Sequence, residues 1–220
     1  MAIDLNIFYE DNHIIVVEKK EGVLSQGDET NDPSMLEIIK EYIKDKYNKP
    51  GNVFLGLVHR LDRRVSGVMV FAKTSKAASR LSEAIRRQQF VKKYMAICQG
   101  KLVGSGKLVN KLDKVNGKAI ETNDGKECIL EYNVIKNFVL DGEIFSVLDV
   151  NLITGRYNQI RKQLSIINHP IVNDFKYNYN GKNYNNDFGL RCYSLSFPHP
   201  ITKEILTFKS NFNNFWEDKI

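Results

Sequence analysis

One segment of the chain combines residue types and spacing that suggest chemistry: His59-Arg60-Leu61-Asp62-Arg63-Arg64-Val65-Ser66-Gly67, a carboxylate among three arginines. Positive charge that close favours the ionised form, so Asp62 reads as a ready nucleophile or base. Taken alone, an Arg-Leu-Asp-Arg tetrapeptide reads first as a capped turn or a surface ion pair, ahead of a catalytic loop. A metal centre has less support, because His13, His59, His169 and His199 lie far apart and none stands four residues from another ligand. A carboxylate hydrolase of the glycosidase kind would need a second carboxyl group as acid or base. The loop offers one carboxylate and several arginines.

The same segment opens the basic part of the chain. Lys and Arg number 32 against 26 Asp and Glu, a net charge of +6. From His59 to Lys93 there are ten basic residues and two acidic ones, Asp62 and Glu83, so this stretch carries +8 and the remainder −2. Such a run is either a solvated helix face or a surface that tracks phosphates.

The elements that must position Asp62 follow from patterning. Residues 5–9 and 13–18 are apolar and β-branched around Glu10-Asp11-Asn12, which predicts two short strands. Gly22, Gly27 and Asp28 mark a loop. Asp32 before Pro33 predicts a helix start, with Leu36, Ile39, Ile43 and Tyr47 at helical spacing and Pro50-Gly51 as its end. Val68–Ala72 predicts a buried strand. Thr74 or Ser75 would then cap a helix that buries Ala77, Leu81, Ala84 and Ile85. Cys128–Phe138 and Ile144–Ile153 flank Asp141-Gly142 and predict a hairpin. Thr154-Gly155 opens a predicted helix through Ile160, Leu164 and Ile167, which ends before His169-Pro170, and Tyr177–Asn186 reads as an exposed loop. Strands in hairpins outnumber helices, which predicts an α+β fold with a mixed, mainly antiparallel sheet core and flanking helices.

Bulk properties set the class. With 220 residues, 42% of them hydrophobic and 10% aromatic, the chain can bury a sizeable core as one large domain or two closely joined halves. Cys98, Cys128 and Cys192 are odd in number and far apart, so neither a disulfide framework nor a Cys-x-x-Cys motif is available. Asp4, Glu10 and Asp11 argue against a signal peptide, and no apolar run approaches the roughly 18 residues of a membrane span. A cytoplasmic protein is expected, with no membrane partner.

The segment His59–Lys73, with its His-Arg-Leu-Asp, Ser66-Gly67, apolar strand and Ala72-Lys73, resembles the signature of RluA-type pseudouridine synthases. Five further stretches agree in order. Ile7–Lys19 is similar to the family's opening strand pair, with Lys20 at the usual proline. Val91–Ala96 resembles the strand that carries the family's tyrosine. Gly155-Arg156-Tyr157-Asn158-Gln159-Ile160-Arg161 resembles Gly-Arg-Thr-His-Gln-Ile-Arg, with Tyr157 and Asn158 as departures. His169–Tyr177 places Asn173 at the usual glycine, where asparagine tolerates positive φ. Leu190–Pro200 matches the closing block, with Arg191 and Cys192 as departures.

The resemblance implies a pseudouridine synthase fold with an active-site cleft across the sheet, one catalytic domain over 1–220, and no amino-terminal RNA-binding domain. It implies Asp62 as the catalytic carboxylate, Tyr94 as the tyrosine packed against the base, and Arg161 as the partner of Asp62. Arg60 would help displace the flipped uridine. His59, Arg63, Lys73, Arg86 and Arg87 are the remaining expected RNA-binding residues. The expected partner is structured RNA, a ribosomal or transfer RNA stem-loop, met by a monomer without metal or cofactor. A non-catalytic RNA-binding relative would share the basic stretch, but the joint retention of Asp62, Tyr94 and Arg161 argues for an enzyme.

Overall fold

The computed structural model describes residues 5–212 and 214–219, so Asp4 and both ends of the 1–220 span lie outside the described residues. The chain divides into two compact units, residues 1–90 with 194–210, and residues 91–193 with 211–220.

In the first unit, β1 (Ile7–Glu10) and β2 (Ile14–Lys19) precede helix α1 (Met35–Lys46), β3 (Gly56–Leu57), β4 (Ser66–Ala72) and helix α2 (Ser75–Arg86). β2 pairs antiparallel with β1 and with β4, in the register Val16 to Val70, and β3 also pairs antiparallel with β4. α2 starts as its sequence predicts: the Thr74 hydroxyl accepts from the Ala77 amide, and Ala77, Leu81 and Ala84 face the core. There they join Ile14, Val16, Val68, Val70 and Ala72. Fully burying each larger aliphatic side chain contributes about 1.5–3 kcal/mol before the entropy cost of ordering it.

The second unit contains β5 (Val91–Gln99), β6 (Ser105–Val115), β7 (Lys118–Glu121), β8 (Lys126–Leu140), β9 (Glu143–Leu152) and helix α3 (Gln159–Ile166). β5–β9–β8–β6–β7 form successive antiparallel ladders. Asp141-Gly142 makes the predicted tight turn, both residues at positive φ (52° and 82°), and Asn116-Gly117 does the same between β6 and β7 (46° and 71°). Ile97, Phe145, Val147, Val172, Tyr184 and Trp216 form its core. The closing strands are β10 (Leu190–Pro198) and β11 (Ile205–Lys209), paired antiparallel from Ser194 onward. The expected α+β class with mainly antiparallel pairing is what the chain adopts. Among the described residues no helix is long and apolar enough to cross a membrane.

Three local expectations are corrected. α1 is capped by Ser34, not Asp32, because Ser34 and Glu37 form a reciprocal capping box, while Asp32 pairs with Arg63. It ends at Lys46, with Tyr47 as its C-cap and Asn48 at φ 47°. α3 begins at Gln159, not at Thr154-Gly155. Asn158 is left-handed (φ 49°) and breaks any earlier turn, and Thr154 instead accepts from the Ile129 amide. Tyr177–Asn186 is not an exposed loop throughout: Tyr177, Tyr179 and Tyr184 are buried, whereas Asn178, Asn180, Lys182 and Asn183 between them are exposed. β6 and β7 had no sequence signal, since most of their side chains face solvent and carry Lys, Asn and Asp in place of an apolar alternation.

Candidate active site

Asp62 lies in a loop clamped from both sides by residues 19–25. The Ser25 hydroxyl, itself buried, donates to the Leu61 carbonyl at 2.7 Å and accepts from the Leu61 amide at 3.1 Å. On the far side, the Arg63 carbonyl accepts from the Lys19 ammonium at 3.0 Å and from the Gly22 amide at 2.9 Å. Within the loop, the Val65 amide bonds the Asp62 carbonyl at 3.0 Å, and the Arg64 amide donates to Asp62 Oδ1 at 3.2 Å. Leu61 is buried beneath the loop and Asp62 is half-buried, so the backbone is fixed while the carboxylate reaches the surface.

Lys19 has no exposed surface. Burial pushes its ammonium down to about 7, against the pull of the Asp62 and Glu21 carboxylates. The charge facing Asp62 from below is therefore one that the surroundings only weakly retain.

The other expected residues of this unit have distinct settings. Arg60 is exposed. His59 is half-buried, and its Nε2 accepts from the Val70 amide at 3.1 Å. Arg63 donates to the Gly22 carbonyl and pairs with Asp32 at 2.6 Å. Lys73 is largely covered and bound to Glu10 at 2.6 Å. Arg86 and Arg87 are exposed on the last turn of α2, and both pair with Glu83.

Glu10 gathers four donors: Tyr42 and Lys46 on one oxygen, Tyr47 and Lys73 on the other. Burial alone would raise this carboxyl, but the hydrogen bonds outweigh it and bring it down to about 2.

In the second unit, Tyr94 sits on β5 opposite Val150 and is buried. Burial, and then the neighbouring Cys192 thiol, hold its hydroxyl well above the usual tyrosine range. Burial also pushes Cys192 up to about 12. The departure at Cys192 thus supplies a small neutral neighbour for Tyr94.

Arg161 projects from the first turn of α3 and is buried. Its Nε and Nη2 bond both oxygens of Asp174, each at 2.7 Å. Its guanidinium carbon lies 5.0 Å and 5.2 Å from the ring centroids of Tyr177 and Phe188. The helix carrying it is anchored by a chain of buried amides. Gln159 donates to the Ile129 carbonyl and to Gln163, and Gln163 donates to Asn110 and the Cys128 carbonyl. Asn173 adopts the positive φ expected of it, 63°, and its side chain bonds Tyr184 and Asp187.

Sequence reasoning did not single out Ser25, Lys19, Asp174 or Gln159. Asp174 could have been found as the one acid near Arg161 inside a matched block. Ser25 carries no signal of its own. Among the described residues no group of three or more His, Cys, Asp or Glu gathers as metal ligands.

Residues 13–166 match a family model described as RNA pseudouridylate synthase. Ribosomal large subunit pseudouridine synthase D of Yersinia pestis is 33% identical over 179 residues, which is 80% of this chain and 53% of the relative. Ribosomal large subunit pseudouridine synthase C of Buchnera aphidicola subsp. Baizongia pistaciae is 32% identical over 211 residues, 90% of this chain and 64% of the relative. The chain thus spans between half and two thirds of these relatives. Human RNA pseudouridylate synthase domain containing 4 is similar in structure, with a TM-score of 0.76 at 22% identity, covering 96% of this chain and 90% of that one. Human RNA pseudouridylate synthase domain containing 1 gives 0.75 at 19%, covering 95% and 84%. These two likenesses show the fold.

Proposed function

Because this chain belongs to the RNA pseudouridylate synthase family, we propose that it isomerises uridine to pseudouridine in ribosomal RNA, with Asp62 as the catalytic carboxylate. The two relatives named above as ribosomal large subunit synthases favour ribosomal over transfer RNA as the substrate. The observation that carries the reading is the clamped loop: Ser25 and Lys19 fix the backbone on both sides of Asp62 and leave its carboxylate at the surface. A rigidly held carboxylate is what a reaction at a flipped nucleotide demands, since misplacement by an ångström is costly in rate.

The reaction breaks the bond from C1′ to N1, turns the base, and joins C1′ to C5. The proton on C5 is lost and N1 gains one, so substrate and product are isomers and no oxidant or cofactor enters the balance. A lone carboxylate at the sugar has two routes, attack on C1′ or removal of the 2′ proton, and both end in the same product. Tyr94 and Arg161 are proposed as the accompanying tyrosine and arginine on their motifs. Arg60, exposed beside Asp62, is proposed to occupy the space the base leaves. His59, Arg63, Lys73, Arg86 and Arg87 complete the proposed RNA-binding set, in a cytoplasmic monomer whose catalytic domain is 1–220.

Pseudouridine mapping of total RNA from cells with and without the protein tests this. Uridines that lose modification in its absence, and regain it with wild-type protein but not with Asp62→Asn, are expected. Full modification by the Asp62→Asn variant would refute the assignment.

A further inference from the structure

The two family departures before α3 have a shared use. The Tyr157 hydroxyl donates to the Gly117 carbonyl at 3.0 Å, at the turn between β6 and β7. Asn158 donates to the Tyr177 hydroxyl at 3.0 Å, and the same oxygen accepts from the Ala119 amide in β7 at 2.7 Å. Lys176 adds a bond to the Gly117 carbonyl at 2.6 Å. Tyr157, Asn158 and Lys176 thereby fasten the β6–β7 turn to the loop that precedes α3.

The docking leaves a cationic surface. Tyr157 is 42% exposed. Lys114 and Lys176 hold their ammonium groups 4.8 Å and 5.6 Å from the centroid of its ring. Arg156, which precedes Tyr157 in the chain, and Lys118, which pairs with Val115 across the hairpin, are also exposed. Among the described residues, none of these four cations is paired with a carboxylate, in contrast to Lys93, Lys107 and Lys182 of the same unit, each of which has one. The electron-rich face of the ring offsets part of the repulsion between the two ammonium groups. A bound anion would relieve the rest.

We propose that Lys114 and Lys176, which flank the Tyr157 ring, and Arg156, its neighbour in the chain, bind the phosphate backbone of the RNA substrate. The inference rests on the function proposed above and deepens it: Tyr157, which stands where the family motif has threonine, assembles a backbone contact from residues outside the Asp62 loop. Contacts of this kind fix the position and register of an RNA without reading its bases. Their signature is salt dependence, with a single strand contributing about 0.7 to the slope of log affinity against log salt for each phosphate neutralised.

The test is a salt titration of fluorescence anisotropy with a short labelled oligouridylate, using the full chain. Lys114→Gln with Arg156→Gln, whose side chains make none of the hydrogen bonds that fasten the hairpin, should weaken binding and flatten the slope by about 1.4. Tyr157→Thr, which removes the ring and its hydrogen bond, should weaken binding too. An unchanged slope in the double variant, with wild-type melting, overturns the proposal, and the single Lys114→Gln repeats the measurement if the double variant melts early. Loss of polyglutamate binding with oligouridylate binding intact would overturn it in favour of an acidic protein partner. Pseudouridine formation by the wild type in RNA from cells lacking the protein is scored separately. Its absence counts against the proposed function, whereas an unchanged slope in a variant of an active enzyme counts against this site alone.

Discussion

Arg161 and Asp174 form a bidentate ion pair with almost no exposure on either side chain, 6% and 1%. The arrangement is closed by two aromatic rings on the guanidinium. Removing one partner leaves a buried charge without its counterpart, which costs about 3–5 kcal/mol. Asp174→Ala should therefore lower the unfolding free energy by about that amount in a urea titration. Arg161→Met with Asp174→Leu should recover much of it, because no charge then remains buried. A loss below about 1 kcal/mol in the single variant would show the pair to be dispensable.

Ser25 contributes two hydrogen bonds to one residue, and among the described residues no other polar group bonds the amide of Leu61. Ser25→Ala should cost about 1–3 kcal/mol, since two buried backbone groups lose their partner. Turnover should fall by more than the small loss of folded protein at assay temperature explains, because Asp62 is the next residue. Equal activity per folded molecule would mean that the loop is held without Ser25.

Glu10 gives the fold a dependence on acid. Its carboxyl titrates at about 2, against an ordinary 4.5, so the folded state holds fewer protons than the unfolded chain across that interval. Its stabilising contribution is complete above 4.5 and is lost as pH falls toward 2. Denaturation midpoints measured across this range should drop less steeply for Glu10→Gln than for the wild type, and the variant should be less stable at neutral pH. Parallel curves would contradict the shift.

Lys19 acts in the opposite range. Its folded value of about 7 lies below the ordinary 10.5, so between these values the unfolded chain carries the extra proton and stability rises with pH. Below 7 the full cost of burying the charged form is present. Chemical denaturation from pH 7 to pH 10 should show this rise in the wild type and not in Lys19→Met. Lys19→Met should also loosen the Arg63 carbonyl, seen as faster hydrogen exchange in residues 61–65.

Much of this was legible in the sequence, for physical reasons. Thr74 with the spacing of Ala77, Leu81 and Ala84 encodes α2 locally, and Asp141-Gly142 encodes its hairpin, because caps and tight turns are decided by a few adjacent residues. β6 and β7 were not legible. β6 is held by pairing with β8 and β7 by pairing with β6, while each buries fully only one side chain, Leu112 and Ala119. In the site, Asp62 and Arg161 could be read from motifs, whereas Ser25, 36 positions before Leu61, acquires its role only through the tertiary fold. The buried tyrosines of 177–184 were hidden for a related reason: Asn178, Asn180, Gly181 and Asn183 between them gave the stretch a loop-like composition.

The division of the chain has a consequence for its synthesis. The core shared by β2, β4 and α2 is completed by Leu195 and Phe197, so residues 91–193 must be made before the first unit can close. The second core in turn waits for Phe212 and Trp216. Neither unit is a contiguous stretch, and neither can be excised by a single cut. A nascent chain stopped at residue 193 holds two open hydrophobic faces on the ribosome, the state in which chaperone binding or aggregation competes with folding. Each core is sealed by residues that are made after position 193.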